Sequence, residues 1–120
     1  NVIKSGKSFF YEEGVDKLLK PSVTNGNLIP TDDYKTAISN SSIVFSCVGT
    51  PDRPDGSSNL DYVFSAARDA IDLMHNDTIF VQKSTVPPGT GARIINEFDT
   101  KSKNIHYISN PMIDSSKADR

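Results

Sequence analysis

Hydroxyl side chains stand at two points where a predicted strand ends. Ser84 and Thr85 follow one apolar run, and Thr50 follows Gly49 after another. In an open α/β sheet, ligands bind beyond the carboxyl ends of the strands, and a glycine there lets a ligand approach the backbone. The pattern predicts that both threonines are held in fixed directions and point into one crevice at this edge. The alternative is ordinary turn chemistry, in which Ser and Thr cap the next helix.

The elements that must position these residues alternate along the chain. The sequence predicts strands over residues 41–48, 77–83, 104–109 and, more weakly because of Pro30, 26–31. It predicts helices over residues 12–20, 32–39, 58–76 and 89–98. We expect Pro21 to end the first helix. Short apolar runs between helices indicate parallel strands that are buried on both faces. The predicted fold class is therefore α/β, with a doubly wound parallel sheet.

The longest predicted helix, over residues 58–76, is the most strongly patterned. Its apolar residues recur at a spacing of three to four and therefore share one face: Leu60, Val63, Ala67, Ile71 and Met74. Ser58 and Asp61 have the spacing of a capping box at its start. We expect this face to pack against the sheet.

Composition excludes several kinds of partner. The 120 residues suffice for one domain, and 13 basic against 15 acidic residues leave no basic surface for nucleic acid or an anionic membrane. No apolar run is long enough to span a membrane. The single cysteine, Cys47, lies inside a predicted strand, where we expect a buried structural thiol. One cysteine also fits a reducing compartment such as the cytoplasm, and no cluster of metal-binding residues has ligand spacing.

Four segments carry a family resemblance through their order and spacing. They are "YEEGVDKLLKPSVTNGNLIPTDDYKTAI", "VGTP" with a charged loop after it, "NLDYVFSAA" and "FVQKSTVPPGT". Together they resemble the nucleotide-sugar dehydrogenases, the UDP-glucose and GDP-mannose 6-dehydrogenases and their UDP-N-acetylhexosamine relatives. The resemblance extends over roughly residues 3–111.

The resemblance implies a Rossmann-like domain and an NAD-dependent enzyme. The family oxidises the C6 alcohol of a UDP- or GDP-sugar to the uronate in two NAD-linked steps. By resemblance, the NAD site would contain Val48, Gly49, Thr50, Pro51, Ser84 and Thr85. Thr85 would also be catalytic, near the nicotinamide and a reacting water. The resemblance further implies a nucleotide-sugar substrate and a homodimer in the full-length protein.

The sequence departs from the family pattern in three places. It has no strand followed by the G-x-G-x-x-G turn that receives a pyrophosphate. The family's nucleophilic cysteine belongs to a later domain, and Cys47 is not that residue. After Asn110 and Pro111, Met112 replaces a glutamate that assists the chemistry in the family.

These departures limit what we expect of the chain alone. Residues 1–120 would form an incomplete NAD-binding domain without the first βαβ unit, and without the central and sugar-binding domains. We expect the isolated chain to be inactive and to bind NAD weakly or not at all. The alternative hypothesis is a non-catalytic α/β module that binds a nucleotide or a partner chain.

Overall fold

The computed structural model describes residues 2–112, and the chain divides into two compact units, Asn1–Asp33 and Tyr34–Arg120. The second unit contains three parallel strands in the order β1-β2-β3. Its elements in chain order are α2 Tyr34–Ile38, β1 Ile43–Ser46, α3 Asp61–Leu73, β2 Ile79–Gln82, α4 Thr90–Glu97 and β3 His106–Ser109. The predicted α/β fold with an open parallel sheet is confirmed.

The first unit contains a short 3-10 helix, Ile3–Ser5, and helix α1, Val15–Thr24. Pro21 lies inside α1, so the prediction that it ends the helix is wrong. Proline has a φ compatible with the helix and removes only one N–H, and Asn25 N still donates to Pro21 O at 2.9 Å. Among the described residues, 26–31 form no strand, so the weak strand prediction there is also wrong.

The core of the second unit lies between one face of the sheet and helices α3 and α4. The predicted apolar face of α3 is buried: Val63, Ala67 and Ile71 have no exposed surface. Phe80 of the central strand β2 and Ile94 of α4 pack into the same cluster. Burying a side chain of this size fully is worth about 1.5–3 kcal/mol, so this face fixes α3 on the sheet.

The opposite face of the sheet is largely open. Ile43 and Phe45 of β1 are 50% and 60% exposed, and Ile108 of β3 is 44% exposed. Phe45, Val81 and Ile108 are register partners, so they lie side by side on this face. The prediction that the strands are buried on both faces is therefore wrong for the outer strands, because the described helices α3 and α4 cover the other face.

Two local predictions also need correction. Cys47 is exposed, because β1 ends at Ser46 and the thiol follows the strand instead of lying inside it. The predicted capping box of Ser58 is absent. Instead, Asn59 Oδ1 accepts a hydrogen bond from Asp61 N at 3.0 Å, at the start of α3. None of the helices within residues 2–112 combines the length and the apolar composition of a membrane span.

Candidate cofactor-binding site

The loops that follow β1 and β2 meet at the carboxyl edge of the sheet. The two strands are parallel neighbours, so their carboxyl ends lie at the same edge. Lys83 N donates to Ser46 O at 2.9 Å. One step further along, Ser84 Oγ donates to Val48 O at 2.6 Å. This side-chain bond joins the two segments that the sequence singled out, which lie 36 positions apart.

An open cleft of about 630 Å³ lies beside the first of these loops. Its lining comes from the loop after β1, from the start of α2 and from one side of α3: Tyr34, Val48, Gly49, Pro51, Tyr62, Ser65, Ala66 and Asp69. Pockets of this volume are typical of small-molecule and cofactor sites. Three of the predicted cofactor residues therefore share one cleft.

The chemistry of the cleft suits a partly aromatic ligand. Tyr34 and Tyr62 are half-exposed, and a tyrosine ring offers an apolar face with a polar tip. Ser65 and Ala66 contribute small side chains to the α3 side of the lining. At Gly49 an added Cβ would meet no atom within 4 Å, so the space beside this backbone is open to a ligand.

Sequence reasoning did not find the α3 residues of this cleft. Tyr62, Ser65, Ala66 and Asp69 follow the i, i+3, i+4, i+7 spacing of a helix side. They lie beside the apolar stripe that faces the core. The signal was present in the spacing, but small and polar residues with this spacing are typical of any solvent-facing helix side.

The loop between Pro51 and Asn59 is a small hairpin. Asn59 N donates to Pro51 O at 2.8 Å, and Asp52 pairs with Ser58 in an antiparallel bridge. The turn is closed by Asp55, whose Oδ1 accepts hydrogen bonds from the hydroxyl and the N–H of Ser57. These bonds, the hydroxyl's first, lower the pKa of the fully exposed Asp55 carboxyl. The charged loop that follows "VGTP" is therefore locally ordered beside the cleft.

The remaining predicted site residues lie outside this lining. Thr50 is half-buried and Thr85 is exposed, and Ser84 is held by its bond to Val48. The alternative that the two threonines cap the next helix is wrong. Helix α3 begins at Asp61 with Leu60 as its N-cap residue, and α4 begins at Thr90 with Gly89 as its N-cap residue.

Two further sequence observations can now be placed. Among residues 2–112, no group of three or more His, Cys, Asp or Glu side chains could hold a metal ion. Met112, at the position of the family's glutamate, is 74% exposed. An exposed thioether carries no proton to exchange, so this side chain provides no acid or base.

Comparison with known proteins assigns the chain to one family. The family model of the UDP-glucose/GDP-mannose dehydrogenase family, NAD binding domain, matches residues 1–114. A UDP-glucose 6-dehydrogenase of Rhizobium meliloti is 42% identical over 115 residues, which cover 92% of this chain and 26% of that protein. A GDP-mannose 6-dehydrogenase of Pseudomonas putida is 35% identical over 98 residues, covering 79% and 22%.

Solved structures give the same result for the fold. A ternary complex of GDP-mannose dehydrogenase from Pseudomonas aeruginosa has a TM-score of 0.83 at 28% identity, and the match covers 93% of this chain and 28% of that one. The chain thus spans about a quarter of the length of the relatives that it matches. On this evidence the chain belongs to the UDP-glucose/GDP-mannose dehydrogenase family and corresponds to its NAD-binding domain.

Proposed function

We propose that this chain supplies part of the NAD site of a nucleotide-sugar 6-dehydrogenase. The reaction oxidises the C6 alcohol of a UDP- or GDP-sugar to the uronate. The observation that carries the proposal is the 2.6 Å hydrogen bond from Ser84 Oγ to Val48 O. This bond holds the loops that follow β1 and β2 together at one edge of the sheet. The 42% identity to a UDP-glucose 6-dehydrogenase supports the same conclusion.

The residues at this edge fit part of a dinucleotide. Val48, Gly49 and Pro51 line the cleft beside Tyr34 and Tyr62. Open space at Gly49 lets a ligand contact the backbone, and tyrosine rings can pack against a planar base or a ribose. The G-x-G-x-x-G turn that would hold the pyrophosphate is not in this sequence, so these residues account for part of the contacts only.

Each remaining site residue has a separate proposed role. Ser84 keeps its hydroxyl on Val48 O and so positions the first loop. Thr50 contributes to the cofactor side. Thr85 is exposed, and its hydroxyl is free to orient a water molecule or the alcohol oxygen as that oxygen loses its proton. NAD bound at this edge would supply the hydride acceptor for oxidation at the sugar C6.

The wider context of the chain belongs to the same proposal. Residues 1–120 form an incomplete NAD-binding domain of a longer protein, whose other domains supply the nucleophilic cysteine and the sugar contacts. The complete protein acts as a homodimer in the cytoplasm on a nucleotide sugar. Support for the compartment comes from the single cysteine of the chain, Cys47, since disulfides are rare in the cytosol.

The test is an assay of the complete protein for NAD reduction with UDP-glucose, GDP-mannose and UDP-N-acetylhexosamines. Thr85→Val removes the hydroxyl at constant shape, and we expect kcat to fall by about 10²-fold or more, the scale of one lost oxyanion donor. Thr85→Ser keeps the hydroxyl and is the matched control. If no nucleotide sugar supports NAD reduction, the function is wrong. If Thr85→Val keeps wild-type kcat, only the role of Thr85 is wrong.

The same assay decides the alternative of a non-catalytic α/β module. Such a module would bind a nucleotide or a partner chain without turnover. A complete protein that binds NAD and reduces none of it with any of these sugars would favour that alternative.

A further inference from the structure

A row of polar side chains lies beneath the two loops, on the face of the sheet that packs against the helices. Ser46 and Gln82 are register partners on β1 and β2, and Gln82 pairs in turn with Ser109 on β3. Alternate residues of a strand share a face, so Tyr107 lies on the same face as Ser109. Ser46 and Gln82 each lie two residues before Val48 and Ser84, the two residues that the side-chain hydrogen bond joins.

Polar atoms of Ser46 and Gln82 in this row, and of Tyr107 in the neighbouring row on the same face, are buried. Gln82 has no exposed surface and Ser46 is 6% exposed. Within residues 2–112, no hydrogen-bond partner reaches either amide heteroatom of Gln82, Ser46 Oγ or Tyr107 Oη. Burial raises the pKa of the Tyr107 phenol, and the nearby Ser109 side chain opposes this rise.

Leaving these groups dry would be costly. An unpaired buried amide or hydroxyl costs about 1–3 kcal/mol, and native proteins pair the large majority of such groups with protein or with ordered water. The amide of Gln82 offers two donors and an acceptor oxygen, and each hydroxyl can both donate and accept. An internal water typically makes about three hydrogen bonds to groups of this kind.

We propose that Ser46, Gln82 and Tyr107 form an internal hydration site directly beneath the loops after β1 and β2. Bound water accepts from the Gln82 amide N–H and donates to its carbonyl oxygen, and the two hydroxyls complete the network. The site links side chains of all three strands, next to the edge where Lys83 N to Ser46 O and Asn110 N to Gln82 O already join the strands through the backbone. The inference does not depend on the proposed function.

Nuclear magnetic resonance of the ¹⁵N-labelled chain tests the site. Gln82 is the only glutamine, so its side-chain amide signals are assigned without ambiguity among glutamines. We expect cross-peaks between this amide and water in rotating-frame spectra, and slow exchange of its protons. Cross-peaks from the amide only to protein side chains, with none to water, would show that the row is paired directly and would overturn the proposal.

A second measurement counts long-lived water by ¹⁷O relaxation dispersion. Gln82→Met fills the same space without polar atoms, and we expect it to lose the contribution of at least one long-lived water. Ser109→Ala alters an exposed member of the row and should leave that contribution unchanged. An unchanged dispersion in folded Gln82→Met contradicts the site, and if this variant does not fold, the wild-type amide spectrum decides.

Discussion

The hydroxyl of Ser84 donates a hydrogen bond of 2.6 Å to the backbone carbonyl of Val48. Ser84 belongs to the segment that follows β2, and Val48 to the segment that follows β1. The bond is half-buried, so water competes for it less than for a surface bond. It therefore sets the spacing between two loops that the family resemblance assigns to one cofactor.

Removal of this bond should destabilise the chain. Ser84→Ala leaves the half-buried Val48 carbonyl without its partner, and we expect a loss of about 1 kcal/mol in the free energy of unfolding. The measurement is urea denaturation. Ser41→Ala is the control, because Ser41 Oγ bonds to Ala37 O only four residues away on the surface. Equal losses in the two variants would show that the Ser84 bond has no special weight.

Gly91 should resist a substitution that helices usually favour. An alanine here would place its Cβ 2.5 Å from Cε1 of the Tyr107 ring, and that ring is held against Phe80 with centroids 6.1 Å apart. Alanine normally stabilises a helix interior by about 0.5–1 kcal/mol relative to glycine. We expect Gly91→Ala instead to cost about 1–3 kcal/mol through overpacking, as measured by urea denaturation.

The partner of the clash provides the control. In a Tyr107→Leu background the ring is absent, and Gly91→Ala should become neutral or stabilising. A cost that persists in this background would place the strain elsewhere in α4.

The periodicity of the sequence predicted those features of the fold that a single helix or strand determines by itself. The face of α3 was readable because Val63, Ala67 and Ile71 repeat at helical spacing and a helix must bury such a face. The strands were readable from short β-branched runs. The exposure of Phe45 could not be predicted, because an apolar run does not show whether helices cover both faces of its strand.

The candidate site was predictable to the same extent. Glycine and hydroxyl residues after strands predicted a site at the carboxyl edge of the sheet, and the structure brings Val48, Gly49 and Pro51 to one cleft. Tyr34 joins this cleft only through tertiary packing, so no local pattern announced it. The hairpin at Asp55 escaped notice because its turn lies within a loop that reads as polar and irregular.

The ammonium group of Lys103 lies at the carboxyl end of helix α3 and should stabilise the fold. Lys103 Nζ donates to the carbonyls of Ile71 and Asp72 at 2.8 Å each, and a cation at this end also complements the helix dipole. We expect Lys103→Met to lower the free energy of unfolding by about 1–2 kcal/mol. Lys101→Met, at an exposed neighbouring position, should change it by less than about 0.5 kcal/mol. Thermal and urea unfolding of both variants measures these losses. Equal losses in free energy of unfolding would contradict a specific role of Lys103.

The isolated chain should bind NAD weakly or not at all. A pyrophosphate needs the N–H groups of a glycine-rich turn at a helix N-terminus, and the sequence contains no G-x-G-x-x-G. Titration calorimetry of the chain with NAD should give no micromolar affinity, whereas the complete protein should bind. Micromolar binding by the chain alone would mean that the cleft beside Tyr34 and Tyr62 suffices without a pyrophosphate cradle.

Acid should weaken the hairpin beside the cleft. Hydrogen bonds from Ser57 lower the pKa of Asp55 in the folded chain, below the value of about 3.9 for a free aspartate. The folded state therefore releases this proton more readily than the unfolded state. The resulting stabilisation is present above the unfolded pKa and is lost as the pH falls through the folded pKa.

Ser57→Ala removes the hydroxyl bond, so the unfolding midpoint of this variant should lie below that of the wild type at pH 7. The difference between the two midpoints should narrow towards pH 3. Because Asp55 is fully exposed, the difference between the two midpoints will be small. High salt screens the long-range attraction to Arg53 but not the hydrogen bond, so a difference that arises from the hydrogen bond should largely persist at high salt. A gap that stays constant between pH 7 and pH 3 would mean that the Ser57 hydroxyl acts on the turn without the Asp55 charge.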